Sequence, residues 1–368
     1  MTTESLEEFR LYKQNNKCPI IGTHSEQFHQ DEVFSTFFLK FIDGFRTSAV
    51  VRTRNKQILD ECDVVVDVGG EYNAEKMRFD HHMREFKEVF DEENRIKMSS
   101  AGLIFKHFGS QAITSILNSP SFSKSFKTSD NKTSGENSIV NNSFQPNSLV
   151  SQMTEILQKV YERFIIVIDA LDNGISKSIS GESFTCLDKT TSGIRIGRLN
   201  GEIFEGRIGP EEQSRRFKLA WDIIEEEFYY CLRTLIFGYF PSLKILEDTY
   251  QKSKEKYPQF KGQVLVFDEP CSWKGVLYPF EKKRKVEGSV LFVVFKGENS
   301  YRISTVPVSP NSFEFRKGLP KEWRGLKEED LCKTTGKNDM IFVHSSGFIG
   351  GCKTLETAIW VVEEAMKK

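Results

Sequence analysis

Three consecutive valines, Val64 to Val66, run straight into Asp67 and then Gly69-Gly70. A β-branched run with no polar alternation needs cover on both faces, the condition of a strand inside a parallel sheet. The preceding segments fit that setting. A short strand is expected at 19–21, leading into Gly22-Thr23-His24. Val33, Phe34, Phe37, Phe38, Phe41 and Ile42 then recur at the three-to-four spacing of an apolar helix face. Asp31 and Glu32 fall in its first turn, where carboxylates suit the helix dipole. A strand over 48–53 and a helix near 55–62 follow. Strand, helix, strand, helix, strand predicts an α/β fold with a mainly parallel sheet and crossover helices.

Further along, 99–117 and 153–172 read as helices, and 217–253 as largely helical with a break at Pro241. Between the first two lies 118–151, with 10 Ser and 6 Asn and no periodicity. It reads as a disordered insertion. The last part turns to strands at 264–267, 289–295, 301–306 and 341–343, the middle two joined as a hairpin. Gly347-Phe-Ile-Gly-Gly351 reads as a glycine-rich turn, after which Thr354 caps a final helix. A length of 368 residues suits two domains. The expected division is an N-terminal tail at 1–17, a first domain at 18–234 carrying the insertion, and a second at 235–368 that begins with helical linker.

The 51 basic and 52 acidic side chains leave no global basic excess to advertise nucleic acid. From Leu235 onward, however, 22 basic residues face 17 acidic ones. An acidic first part suits divalent cations, and a mildly basic second part suits a phosphate-bearing ligand. The seven cysteines are scattered and form no C-x-x-C, which fits a reducing compartment. No signal peptide, transit peptide or membrane-length apolar run is present, so a soluble intracellular protein is expected, without a membrane partner.

Four of the six histidines lie in two short segments, each with an aspartate: His24-x4-His29-x-Asp31 and Asp80-His81-His82. The first follows the strand expected at 19–21, and the second comes after the valine strand at 63–68, where Asp67 sits. In an open α/β sheet, ligands bind beyond the carboxyl ends of the strands. Imidazole with carboxylate suits Mn²⁺, Fe²⁺, Co²⁺ or Zn²⁺, and there are ligands enough for two ions. Two such cations, with a carboxylate such as Asp67 between them, are the equipment of many phosphoesterases. Asp169 and Asp172 follow the apolar run Phe164 to Ile168 and are further candidates. His107 sits inside a predicted helix and reads as packing or surface.

Ile20-Ile-Gly-Thr-His24, Phe28-His-Gln-Asp-Glu32, Val65-Val-Asp-Val-Gly-Gly70 and Arg78-Phe-Asp-His-His82 resemble the DHH phosphoesterase superfamily. Ser99-Ser-Ala-Gly-Leu-Ile104, Asp169-Ala-Leu-Asp-Asn-Gly174, Trp323-Arg-Gly-Leu326 and Phe342-Val-His-Ser-Ser-Gly-Phe-Ile-Gly-Gly351 narrow the resemblance to the Myg exonuclease family. The resemblance implies a DHH domain with a mainly parallel sheet, a smaller C-terminal α/β domain and an active site in the cleft between them. It implies His24, His29, Asp31, Asp67, His81 and Asp169 as metal ligands, with Asp172 the alternative to Asp169. Asp67, Asp80 and His82 become catalytic, His82 lying nearer the phosphate. The implied cofactor is two divalent ions, Mn²⁺ first and Mg²⁺ second. The implied activity is a 3′-to-5′ exonuclease on RNA, set among nuclear and mitochondrial transcripts.

In the second domain Gly350 and Gly351 let backbone approach a phosphate, with the following helix N-terminus adding donors. His344, Gly347, Arg302 and Arg324 complete the expected substrate-binding set, and Arg316 is a further candidate clamp. Ser25-Glu26 stands where the family usually has Asn-Gly, and Cys352 where it often has His or Asn. Glu26 adds negative charge near the metals, and Cys352 bears on specificity if it meets substrate. The expected reaction is attack of metal-activated water on the terminal phosphodiester, releasing nucleoside 5′-monophosphates from RNA, DNA or a short oligonucleotide. The rival readings are a phosphoesterase for pyrophosphate or dinucleotides, and a non-catalytic nucleic-acid-binding protein on the same fold.

Overall fold

A computed structural model describes residues 1–119, 122, 152–175, 190–201, 203–269, 271–310 and 312–368. The chain is mixed α/β and divides into two compact units, Met1–Leu235 and Ile236–Lys368, each built on its own five-stranded sheet. The insertion expected at 118–151 lies almost wholly outside the described residues.

In the first unit β1 (Ile20–Thr23), β2 (Ala49–Arg52), β3 (Val64–Val66), β4 (Tyr72–Asn73) and β5 (Arg78–Phe79) take the order β2-β1-β3-β5-β4. Neighbours among the first four of that order are parallel, and β4 runs antiparallel to β5. The carboxyl ends of β1, β3 and β5 therefore share one edge. The valines of β3 are buried, as an inner strand requires. Helix α1 (Leu6–Asn15) buries Phe9 against Ile20, Val51, Ile58 and Val65. The stretch read from sequence as a polar tail thus carries a packed helix. Helix α2 (Gln30–Leu39) is buried along nearly its whole length. It meets α4 (Ser100–Leu117), while α3 (Lys56–Asp60) is a short crossover.

The helical run after the insertion is not uniform. Helix α5 (Met153–Val160) passes through a π-helical turn at Tyr161–Ile165 into α6 (Ile166–Asp172). Helices α7 (Ser192–Arg198) and α8 (Pro210–Arg233) close the unit. The break expected at Pro241 is another π-helical stretch, Thr234–Tyr239, leading into α9 (Phe240–Lys256).

The second unit orders β6 (Val264–Phe267), β7 (Phe292–Lys296), β8 (Tyr301–Thr305), β9 (Met340–Val343) and β10 (Ile349–Cys352) as β6-β7-β8-β10-β9. Only the β6–β7 pair is parallel. Helices α10 (Trp273–Arg284), α11 (Glu328–Thr335) and α12 (Leu355–Lys367) complete it. The expected glycine-rich turn divides in two. Gly347, at φ 79°, makes the turn proper, whereas Gly350 and Gly351 lie inside β10 between β8 and β9. A Cβ on Gly350 would stand 3.1 Å from Leu319 and 3.3 Å from the Phe342 carbonyl, so strand packing alone accounts for that glycine. Thr354 caps α12, accepting from the Thr357 N–H.

Candidate metal centre

Parallel pairing brings three strand ends together, and the next residue of each carries chemistry: His24 after β1, Asp67 one past β3 and Asp80-His81-His82 after β5. Asp67 continues the ladder through its N–H to the Phe79 carbonyl at 3.1 Å, then turns at φ 59°, the left-handed region that Asp tolerates better than most. One oxygen of Asp67 lies 3.2 Å from His24 Nε2 and the other 3.1 Å from His81 Nε2. His24 Nε2 also stands 3.0 Å from Glu32, and its Nδ1 is 3.0 Å from the Ser25 carbonyl. With Nδ1–H donating there, Nε2, which faces the Asp67 and Glu32 carboxylates, is the nitrogen that would ligate a metal in place of its proton. His81 Nε2 is shared again, 3.2 Å from Asp172 and 3.9 Å from Asp31.

His29 is the N-cap residue of α2, exposed, with its N–H donating to both Glu32 oxygens at 2.9 Å. Asp31 is buried. One of its oxygens accepts from Ser100 Oγ at 2.7 Å, and the other has no partner among the described residues. His81 Nδ1 is likewise buried and unpartnered. Among the described residues, three overlapping sets have ligand atoms mutually within 4.8 Å: His24, His29, Glu32 and Asp67; Asp67, His81 and His82; His29, Asp31 and Asp172.

Crowding shows in the protonation. Burial raises Glu32 to about 8 against the pull of His24, and burial with the Asp31 charge raises Asp172 to about 7. Burial raises Asp31 too, with the charge of Asp67 adding to it. For His24, burial works downward, but the bonds to Asp67 and Glu32 win and push it up to about 11. Four carboxylates packed against buried imidazoles, with two buried polar atoms left over, form a donor set that divalent cations fit.

Asp80 has a different part. Its carboxylate is buried and accepts from the Gly70 N–H at 2.6 Å, the His81 N–H at 2.7 Å and the His82 N–H at 3.1 Å. It also holds His82 Nδ1 at 2.7 Å. Burial would raise Asp80, but these bonds, that to His82 foremost, keep it below the ordinary range. The His82 side chain is 64% exposed. The bond to Asp80 lifts it to about 9, so it is a cation at neutral pH.

Asp169 is placed otherwise than expected. One oxygen accepts from Ser99 N–H and Oγ and from the Gly102 N–H, and the other accepts from Tyr161 Oη at 2.8 Å. It anchors the start of α4 and belongs to none of the three sets. Asp172, one turn on, does. Glu32, read from sequence as a dipole partner, also joins the cluster. Its only sequence signal was adjacency to Asp31 and the i+3 spacing from His29.

In the second unit Arg324 packs on the turn, where a Gly347 Cβ would stand 2.9 Å from its Cζ, and donates to the Leu319 carbonyl at 2.9 Å. Arg302 lies over the Phe342 ring, against Gly351, and its Nη1 is buried without a hydrogen-bond partner among the described residues. His344 is exposed, with Nδ1 2.9 Å from Ser346 Oγ. Arg316 is committed to Glu281 in a buried pair at 2.6 Å. The N-terminus of α12, expected to receive phosphate, already receives Asp339, which accepts from Thr354 N–H and Oγ1 and from Thr357 Oγ1. Cys352 is fully buried, its thiol raised to about 12 by burial, and Glu26 is exposed at φ 73°. Among the described residues no helix is long and apolar enough to cross a membrane.

Fold and cluster together define an α/β protein with a histidine–carboxylate centre at the strand ends of its first unit. The chain belongs to the family described as Uncharacterised protein family (UPF0160), the MYG1 exonuclease family, whose model matches residues 20–366. It is 34% identical over 348 residues to the MYG1 exonuclease of Homo sapiens, covering 93% of this chain and 84% of that one. It is 32% identical over 344 residues to the MYG1 protein of Dictyostelium discoideum, covering 92% and 94%. A solved structure, CDC45 from Entamoeba histolytica, covers both chains fully but at a TM-score of 0.23 and 10% identity, too slight a likeness to carry an argument.

Proposed function

We propose that this protein is a metal-dependent phosphodiesterase, a 3′-to-5′ exonuclease that trims RNA and releases nucleoside 5′-monophosphates. One observation carries the reading: Asp67 reaches two buried histidines on neighbouring strands at once. The exonuclease name of the human relative gives the substrate class. The residues that would hold two divalent cations, Mn²⁺ before Mg²⁺, are His24, His29, Asp31, Glu32, Asp67, His81 and Asp172, with Asp172 in place of Asp169. Cations bound there would supply an acidified water and charge neutralisation at a phosphoryl oxygen.

The remaining steps fall to the chain's own groups. Ser25 holds the tautomer of His24. Asp80 fixes His82 by Nδ1 and keeps it cationic, so that its outward N–H donates to a non-bridging phosphate oxygen as charge builds there. Arg302, Arg324, His344 and the turn at Gly347 would hold the nucleic-acid end, with Gly350 and Gly351 shaping the strand that carries the turn.

Product analysis on end-labelled RNA and DNA oligomers, with Mn²⁺ or Mg²⁺, tests this. A ladder shortening from the 3′ end with 5′-monophosphates released is expected. Hydrolysis confined to pyrophosphate or dinucleotides would move the reading to a small-molecule phosphoesterase. Oligomer binding with neither metal uptake nor hydrolysis would move it to a binding protein.

A further inference from the structure

His29 is the most exposed of the histidines in the first set, and it sits on the loop that joins β1 to α2. Nothing about a solvent-facing N-cap residue fixes it by burial. Its neighbours, however, are gripped from one direction. Asn200 makes a two-point contact with the residue before it: Phe28 N–H donates to Asn200 Oδ1 at 2.8 Å, and Asn200 Nδ2 donates to the Phe28 carbonyl at 2.8 Å. Only one orientation of the amide satisfies both. On the other side, Gln30 Nε2 donates to Ser192 Oγ at 2.8 Å. Ser192 opens α7 and Asn200 lies just past its end, so the two ends of one short helix hold the residues flanking His29. The helix is close enough that a Cβ on Gly193 would come within 2.8 Å of Gln30 Oε1. The same loop is tied once more at Glu26, whose carbonyl accepts from the buried Arg52 at 2.6 Å.

Asn200 also forms part of the wall of a pocket of about 150 Å³ together with Phe28 and Gln213. Its amide is half-buried, so the clamp is worth little to global stability. Its geometric effect is larger, because the two-point contact fixes the peptide groups on both sides of Phe28, and the second of them leads directly into His29. We propose that Asn200, with Ser192 as its counterpart, is a positioning residue that presents His29 to the metal centre. This rests on the phosphodiesterase reading above for the presence of metal and adds the element that orders its most exposed ligand.

The test is Mn²⁺ binding by titration calorimetry and metal-free melting of the full chain, for wild type, Asn200→Ala, Ser192→Ala, His29→Ala and the double variant His29→Ala/Asn200→Ala. Asn200→Ala should weaken Mn²⁺ binding about tenfold, the scale seen when a group that orients a ligand is lost. Ser192→Ala should do so less. Metal-free melting should barely move. In the His29→Ala background, Asn200→Ala should change nothing further, since its effect passes through that imidazole. Asn200→Asp keeps the acceptor for the Phe28 N–H but sets an oxygen against the Phe28 carbonyl, and should resemble Asn200→Ala. Additive losses in the double variant, or lowered melting with unchanged Mn²⁺ affinity, would overturn the proposal. Should Asn200→Ala fail to fold, the Ser192→Ala and His29→Ala/Ser192→Ala pair decides in the same way. A wild type that binds no divalent metal would instead remove the phosphodiesterase reading beneath it.

Discussion

Asp169 and Asp172 stand three positions apart on α6, yet the Asp169 carboxylate accepts from Ser99, Gly102 and Tyr161 while Asp172 faces His81 at 3.2 Å. On the function proposed above, the pair would separate anchoring from ligation. Asp172→Asn should lower Mn²⁺ affinity at least tenfold. Metal-free melting should hold or rise, because a charge crowded by Asp31 and Asp67 is gone. Calorimetric titration and thermal melting of the same sample decide it. A fall in melting temperature with intact metal binding would reverse the assignment.

Asp169 makes a pH prediction. Burial raises it to about 6 despite its bonds to Ser99, Tyr161 and Gly102. In the unfolded chain it titrates near 4. Between those values the native state holds the proton more tightly, so stability from this group is present at the acid end and is lost as pH rises through 6. A gap of two units is worth about 3 kcal/mol. Metal-free denaturant unfolding from pH 4 to 7 should therefore show Asp169→Asn gaining on wild type as pH rises. A constant difference between the two would show that Asp169 does not titrate there.

Gly102 gives the steric counterpart. A Cβ there would lie 2.7 Å from one Asp169 oxygen, with the other nearer still, and 2.8 Å from Met98. Gly102→Ala should cost about 1–3 kcal/mol, the range for overpacking a filled site. Because Ser100 precedes it on α4 and donates to Asp31, metal affinity should drop as well. Calorimetric melting with and without Mn²⁺ measures both effects. A variant as stable as wild type would mean that the carboxylate can move aside.

The placement of His24 and Asp67 is legible in the sequence because a parallel sheet sends the carboxyl ends of its strands to one edge. The strand that carries Asp80 and His81 to that edge, β5, is only two residues long and shows no pattern in the sequence. Which of Asp169 and Asp172 faces His81 is not legible in the sequence, because the π turn at Tyr161–Ile165 inserts an extra residue per turn and rotates the face that α periodicity assigns. Glu32 was hidden by a local explanation sufficient in itself, the favourable dipole at a helix start. Strand β10 was lost for lack of side chains: two adjacent glycines leave no alternation to detect. Helix α1 was obscured by polar composition, although Leu6, Phe9 and Tyr12 keep helical spacing.

Arg302 carries the prediction for the second unit. Arg302→Ala should leave folding intact and weaken oligonucleotide binding, since this half-buried guanidinium rests on the Phe342 ring and its Nη1 has no hydrogen-bond partner among the described residues. If it meets a phosphate, the slope of log affinity against log salt should fall by about one. Gly351→Ala, whose Cβ would stand 2.5 Å from Nη1 and 2.8 Å from the Phe342 ring, should produce the same loss by displacing the guanidinium. Fluorescence anisotropy over a salt series reads both. An unchanged slope would take Arg302 out of the nucleic-acid contact.

The left-handed backbone at Asp67 restricts how this position can drift. Glutamate keeps the charge but pays about 1–2 kcal/mol in backbone sterics and carries its oxygens one methylene too far. Asparagine and glycine accept the backbone but cannot offer two anionic oxygens to two imidazoles. Chemically equivalent residues are barred by conformation, and conformationally equivalent ones by chemistry. No single replacement meets both demands, so lineages that lose the activity should retain asparagine or glycine here while the fold persists, leaving a recognisable scar at this one site.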